Sequence, residues 1–133
     1  MADQDTHHFE SSYTCLLIPR FPSHQIQGDL ADSLSQWLQQ ICIASHWKIE
    51  FTTIHPDYFQ WGLWVNALTT PNHITQTIRT ETSKLILSNF SFMDQDKLSD
   101  DFWAPGYLAI LGIHPHLDEI LARYISLIRR QPG

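Results

Sequence analysis

Ten residues near the middle of the chain constrain its fold more than any others. From Tyr58 to Ala67 the odd positions Phe59, Trp61, Leu63, Val65 and Ala67 are all apolar, whereas the even positions are Tyr58, Gln60, Gly62, Trp64 and Asn66. A period of two sends alternate side chains to opposite faces of a sheet, so this run predicts a strand whose odd face is packed in a core. Its even face, with two aromatic rings and an amide, either stays open or is covered by a helix or a second subunit.

The flanking segments supply the rest of the sheet. Tyr13 to Pro19 is a short apolar, β-branched run closed by Pro19 and Pro22, which suits a strand. From Asp29 to about Ser45 the period lengthens to that of a helix, with Leu30, Leu34, Trp37, Leu38 and Ile41 on one stripe. Trp47 to Ile54 reads as a second strand with Ile49 and Phe51 on one face, and His55-Pro56-Asp57 turns it into the third. Thr70-Pro71-Asn72 has cap chemistry for a helix from about His73 to Asn89, with Ile74, Ile78 and Leu85 inward. The acidic stretch Met93 to Asp101 reads as a loop before a fourth strand, Tyr107 to Gly112. A last helix carries Leu117, Ile120, Leu121, Tyr124, Leu127 and Ile128 on its stripe. The order β-α-β-β-α-β-α is that of an α+β, ferredoxin-like split arrangement: an antiparallel sheet with helices on one face and a C-terminal helix added.

With 133 residues the chain has room for one domain, expected over residues 12–131 behind a polar leader of residues 1–11. Apolar residues make up 43 %, enough for a core, and no apolar run approaches the length of a membrane span. A cytoplasmic protein is expected. Cys15 and Cys42 lack metal or redox spacing and read as small buried hydrophobes. Fourteen acids against eight bases give a net charge of -6, which excludes a general polyanion binder but leaves room for a local basic site.

Four segments carry a family resemblance. Pro56-Asp57-Tyr58-Phe59-Gln60 and the apolar strand after it resemble the Pro-Asp-His-x-His strand of the single-tyrosine transposases of the insertion-sequence 200/605 type. Ile78-Arg79-Thr80-Glu81-Thr82-Ser83-Lys84-Leu85 resembles their Leu-Lys-Gly-x-Ser-Ser-Arg helix, and Phe102-Trp103-Ala104-Pro105-Gly106-Tyr107 their Phe-Trp-x-x-Gly-Tyr. Tyr124-Ile125 resembles the Tyr-Ile pair that carries their nucleophile. The resemblance implies DNA transposition by a homodimer that binds single-stranded DNA hairpins and cleaves one strand through a phosphotyrosine, helped by Mg2+ or Mn2+. Two histidines at i and i+2 would share one face of the strand and hold the metal, and a glutamine one turn after the tyrosine would complete the shell.

This chain departs from that pattern at the metal. Tyr58 and Gln60 stand at the histidine positions and Ile128 at the glutamine position, so all three implied ligands are replaced. A neutral phenol and one amide oxygen are a poor set for a divalent cation. The expectation is a catalytically degenerate relative without a metal or other cofactor, in which Tyr124 keeps the nucleophile position but also lies on an apolar stripe. His55, His114 and His116 are what a replacement metal site would draw on. With no acid or cysteine sharing their spacing, they read as surface or capping groups. The basic residues available to nucleic acid are Arg79, Lys84, Arg123, Arg129 and Arg130, joined by Trp64 as a stacking platform. Three functions follow: a domesticated protein that binds DNA or RNA hairpins, a protein-interaction or regulatory module on the same scaffold, and an active transposase or nuclease with an atypical site.

Overall fold

The computed structural model describes residues 9–90 and 101–130. Its elements follow the expected order: β1 (Ser11–Leu17), α1 (Asp29–Ser45), β2 (Lys48–His55), β3 (Tyr58–Val65), α2 (Pro71–Asn89), β4 (Leu108–Leu111) and α3 (Asp118–Arg130). The strands form one sheet in the order β2-β3-β1-β4, and every adjacent pair is antiparallel. Most of the expected acidic loop, and residues 1–8 of the expected leader, lie outside the described residues; β1 already begins at Ser11.

The helices sit on both faces of this sheet, which corrects the one-sided arrangement. Leu30, Leu34, Leu38 and Cys42 of α1 and Ile74, Ile78 and Ile86 of α2 pack on Cys15, Leu17, Phe59, Trp61, Leu63 and Val65. On the other face Leu121 and Ile128 of α3 pack with Leu16, Ile18 and Ala104. Cys15 to Ile18 is uninterruptedly apolar because each of its faces is buried against a different layer. Burying side chains such as Leu16 and Ile18 is worth about 1.5–3 kcal/mol each, so the second layer adds materially to stability.

Local chemistry explains the helix ends. Asp29 and Asp32 lie in the first turn of α1, where the backbone dipole favours acids, and His46 closes it in the left-handed conformation at φ 63°. Pro71 opens α2, and the Thr70 hydroxyl accepts from the His73 N–H at 3.1 Å. Inward positions on α2 run Ile74, Ile78, Thr82 and Ile86; Leu85, expected inward, is only half-buried. Leu117, Ile120 and Leu127, expected on the packed stripe of α3, are 68 %, 42 % and 54 % exposed.

The pairing of β2 with β3 holds a further correction. Ile49 pairs with Leu63 but Phe51 pairs with Gly62, leaving Glu50 as an extra residue in a bulge. One extra residue in a period of two reverses the faces, so Ile49 packs into the α1/α2 core while Phe51 lies on the opposite side. There its ring covers Gly62, where an added Cβ would stand 2.4 Å from a ring carbon.

Candidate functional site

The even face of β3 is where the positions singled out by sequence converge. α3 lies across its lower half, and Tyr58, Tyr124 and Ile128 all belong to the apolar cluster with Leu16, Ile18, Ala104 and Leu121. Tyr58 also stacks on His55, with ring centroids 4.7 Å apart and planes 6° from parallel. His55 Nδ1 accepts from the Asp57 N–H at 3.1 Å. Tyr58 is therefore a packing residue at the base of the sheet, and Ile128, 9 % exposed, fills the space beside it.

Gln60 has a different partner. It is 2 % exposed, and its Oε1 accepts the His116 backbone N–H at 2.9 Å. Because a backbone N–H only donates, the atom facing it is the amide oxygen, and His116 Nδ1, 2.7 Å from the same oxygen, must carry the ring proton. His116 is 5 % exposed, and its Nε2 is left as a buried acceptor with no hydrogen-bond partner among the described residues. Burial holds its pKa below the usual imidazole value. The expectation of a surface or capping His116 is thus corrected: it is pinned under the segment leading into α3. Thr14 anchors the same segment, donating to Gly112 O at 2.8 Å and accepting from His114 N at 3.1 Å.

These bonds decide how well the site suits a divalent cation. The Gln60 oxygen is already occupied twice, Ile128 offers no donor atom, and the Tyr58 ring is packed in an apolar cluster. The residues do not fit the Mg2+ or Mn2+ that the resemblance implies. Among the described residues no group of three or more His, Cys, Asp and Glu side chains is arranged to hold a metal.

Tyr124 is half-buried, and its hydroxyl lies beside Gly106, 3.6 Å from where a Cβ would be. Gly106 has φ +84°, a conformation that favours glycine. Burial pushes the Tyr124 pKa up, and the nearby Arg79 guanidinium only partly offsets this. The phenol is accordingly a neutral group at ordinary pH.

Of the expected nucleic-acid contacts, two are committed internally. Arg79 donates to Asp101 Oδ2 at 2.9 Å, to Ala104 O at 2.8 Å and to Gly106 O, clamping the segment that bears the Trp-x-x-Gly-Tyr motif onto α2. Ser83 bonds Asp101, and the Trp103 indole N–H bonds Thr82 Oγ1 at 2.8 Å, so two sequence motifs are there to hold each other. Arg129 donates to Pro19 O and Arg20 O at 2.8 and 3.1 Å. Lys84, Arg123 and Arg130 are exposed. Trp64 is half-buried and packs into neither apolar cluster; paired with it across the ladder is the exposed Lys48, which the sequence reading missed. Trp64, Phe51 and Lys48 make an aromatic and basic upper half of the face that α3 covers below.

The model of the family described as "Transposase IS200 like" matches residues 7–126. The chain belongs to the IS200-like transposase family. Among solved structures, this IS200-like family member is similar to a Deinococcus radiodurans R1 protein assigned as a transposase, at 16 % identity and TM-score 0.77 over 88 % of this chain and 89 % of that one. It is also similar to a REP-associated tyrosine transposase bound to a REP hairpin, at 8 % identity and TM-score 0.58, covering 89 % of this chain and 64 % of the other. At such identities the likeness is one of fold, and it bears out the α+β arrangement. No curated protein sequence matches the chain. Among the described residues no helix is long and apolar enough to cross a membrane.

Proposed function

We propose that this IS200-like family member binds hairpins of single-stranded DNA or RNA without cutting them. The observation that carries the reading is the Gln60–His116 contact: the oxygen nearest the family's metal position is held by a neighbouring loop, with Ile128 and Tyr58 packed around it. A site without a metal lacks several kcal/mol of transition-state stabilisation, and each ~1.4 kcal/mol is tenfold in rate. Binding needs less: stacking surface at Trp64 and Phe51, cations at Lys48, Lys84, Arg123 and Arg130, and a hairpin-bound structural relative all support it. The cytoplasm is the compartment that fits such a partner.

The active form in this reading is a homodimer. β4 is an edge strand, Leu111 on it is 75 % exposed, and Leu117, Ile120 and Leu127 extend an apolar strip along α3. The same strip supports the second reading, a protein-interaction module, in which the partner is another protein and nucleic acid has no role.

Fluorescence anisotropy with labelled hairpins and random single strands, each at two salt concentrations, tests the first reading. Hairpins should bind better than random strands, with a shallow salt dependence because so few phosphates meet a free cation. No tyrosine-linked adduct should form with Mg2+ or Mn2+. An adduct that vanishes in Tyr124→Phe would show an active transposase or nuclease with an atypical site; absence of any hairpin binding would favour the interaction module.

A further inference from the structure

The opposite end of the sheet from Tyr124 holds a cleft that no part of the family motif explains. It has a volume of about 580 Å3 and is lined by Phe9, Cys42, Ile43, Ser45, His46, Trp47 and Asn66. That size is within the range of small-ligand sites. Trp47 is fixed from below, edge-on to His73 with ring centroids 6.0 Å apart, and is 7 % exposed. Ile43, 75 % exposed, stands at the rim, and Leu68, 92 % exposed, lies two residues beyond Asn66.

The lining chemistry restricts the occupant. None of the lining residues is an acid, a lysine or an arginine, so no permanently charged side chain there selects a carboxylate, a phosphate or an ammonium. Two aromatic rings and Ile43 offer flat apolar contact. Asn66 Oδ1 already accepts from Leu68 N and Thr69 Oγ1, each at 2.9 Å, which leaves its Nδ2 amide, with the Ser45 hydroxyl and the His46 imidazole of the lining, to meet ligand acceptors. A neutral, planar ring with acceptor atoms on its edge satisfies this set.

Position suggests where such a ring comes from. Lys48 and Trp64 pair across β2 and β3, and each lies one or two residues from Trp47 and Asn66 of the cleft. A strand lying over Trp64 and Lys48 therefore reaches the cleft by passing around the end of the sheet. We infer that the cleft between Phe9, Trp47 and Asn66 binds a neutral heteroaromatic base, supplied by an unpaired nucleotide of the bound strand or by a free nucleoside. The strand as source rests on the hairpin-binding reading above; the cleft itself does not.

The test uses the full chain, labelled with nitrogen-15, and titrates it with adenosine and with cytidine. Saturable shifts at the Trp47 indole and the Asn66 side-chain amide are expected. Two variants check the site: Asn66→Asp keeps the acceptor for Leu68 and Thr69 but removes the donor, and Ile43→Glu places a charge on an already exposed rim. Each should weaken binding by about tenfold, the scale of one lost stacking or hydrogen-bond contact. No saturable shift up to the solubility of either nucleoside, or shifts untouched by both variants, would overturn the site. A second arm compares a blunt DNA hairpin with one carrying an unpaired flank. Tighter binding of the flanked hairpin that both variants abolish identifies the strand as the source. Nucleoside binding with no benefit from the flank upholds the cleft and assigns it a free nucleoside. Nucleoside binding with no hairpin binding of either kind upholds the cleft and removes the hairpin-binding reading instead.

Discussion

His116 is the side chain whose protonation the fold opposes most plainly. Its Nδ1 proton is donated to Gln60, its Nε2 is buried without a partner, and burial lowers its pKa from the ordinary 6.5. The unfolded chain therefore binds the proton more tightly than the folded one. The stability this contributes is fully present above about pH 6.5 and is lost as the pH falls through that value toward the lower folded pKa. Thermal melts from pH 7.5 to 5 should show a steeper loss for the native chain than for His116→Gln, which has no imidazole to protonate; equal slopes would remove His116 as the cause. Arg79 offers a second prediction at this scale. Three acceptors meet one guanidinium whose side chain is 12 % exposed, so Arg79→Ala removes the Arg79–Asp101 ion pair and two bonds to carbonyls and should cost about 1.5–3 kcal/mol. Arg79→Lys should recover little, because a point charge does not reproduce the fork. The control is Arg130→Ala on the exposed end of α3, expected to change stability by less than about 0.5 kcal/mol in urea melts.

Among the elements, the β2–β3 hairpin is the sharpest case. With the Phe51 ring lying on Gly62, Gly62→Ala forces ring or strand to move and should destabilise by about 1–3 kcal/mol. Adding Phe51→Leu should recover part of that loss, and strict additivity in the double-mutant cycle would mean that the two do not touch. This contact also marks where sequence reading stops. The odd positions of β3 were legible because period and burial agree: Phe59, Trp61, Leu63 and Val65 are all fully buried. The bulge at Glu50 left no trace in the pattern, so Phe51 was placed on the wrong face. The stripe of α3 was also legible, but a stripe does not say which face of a sheet it covers, and half of this one remains exposed. Tyr58, Tyr124 and Ile128, singled out through the family resemblance, lie in one apolar cluster. The Gln60–His116 contact spans 56 residues and the Thr14–Gly112 contact 98, distances at which local spacing carries no signal.

For the whole molecule, the open edge of β4 and the exposed apolar strip of α3 make association with a second copy the expected state. Light scattering across a concentration series should give twice the monomer mass at tens of micromolar, and Leu111→Lys with Leu127→Lys should halve it. A native monomer would count against the dimer. The sheet order has another consequence, for how the chain comes to be folded. β1 is central, paired to β3 on one side and to β4 on the other, and its Leu16, with the adjoining Ile18, packs against Ala104, Leu121 and Ile128, all of which follow residue 101. Emerging from the ribosome, β1 must wait for some ninety further residues before its second neighbour exists. Contacts so distant along the chain slow folding and leave apolar surface open in the meantime. A nascent chain stalled just before Asp101 should therefore expose a sticky sheet face that the completed chain hides, making this short protein a client of chaperones during synthesis rather than after it.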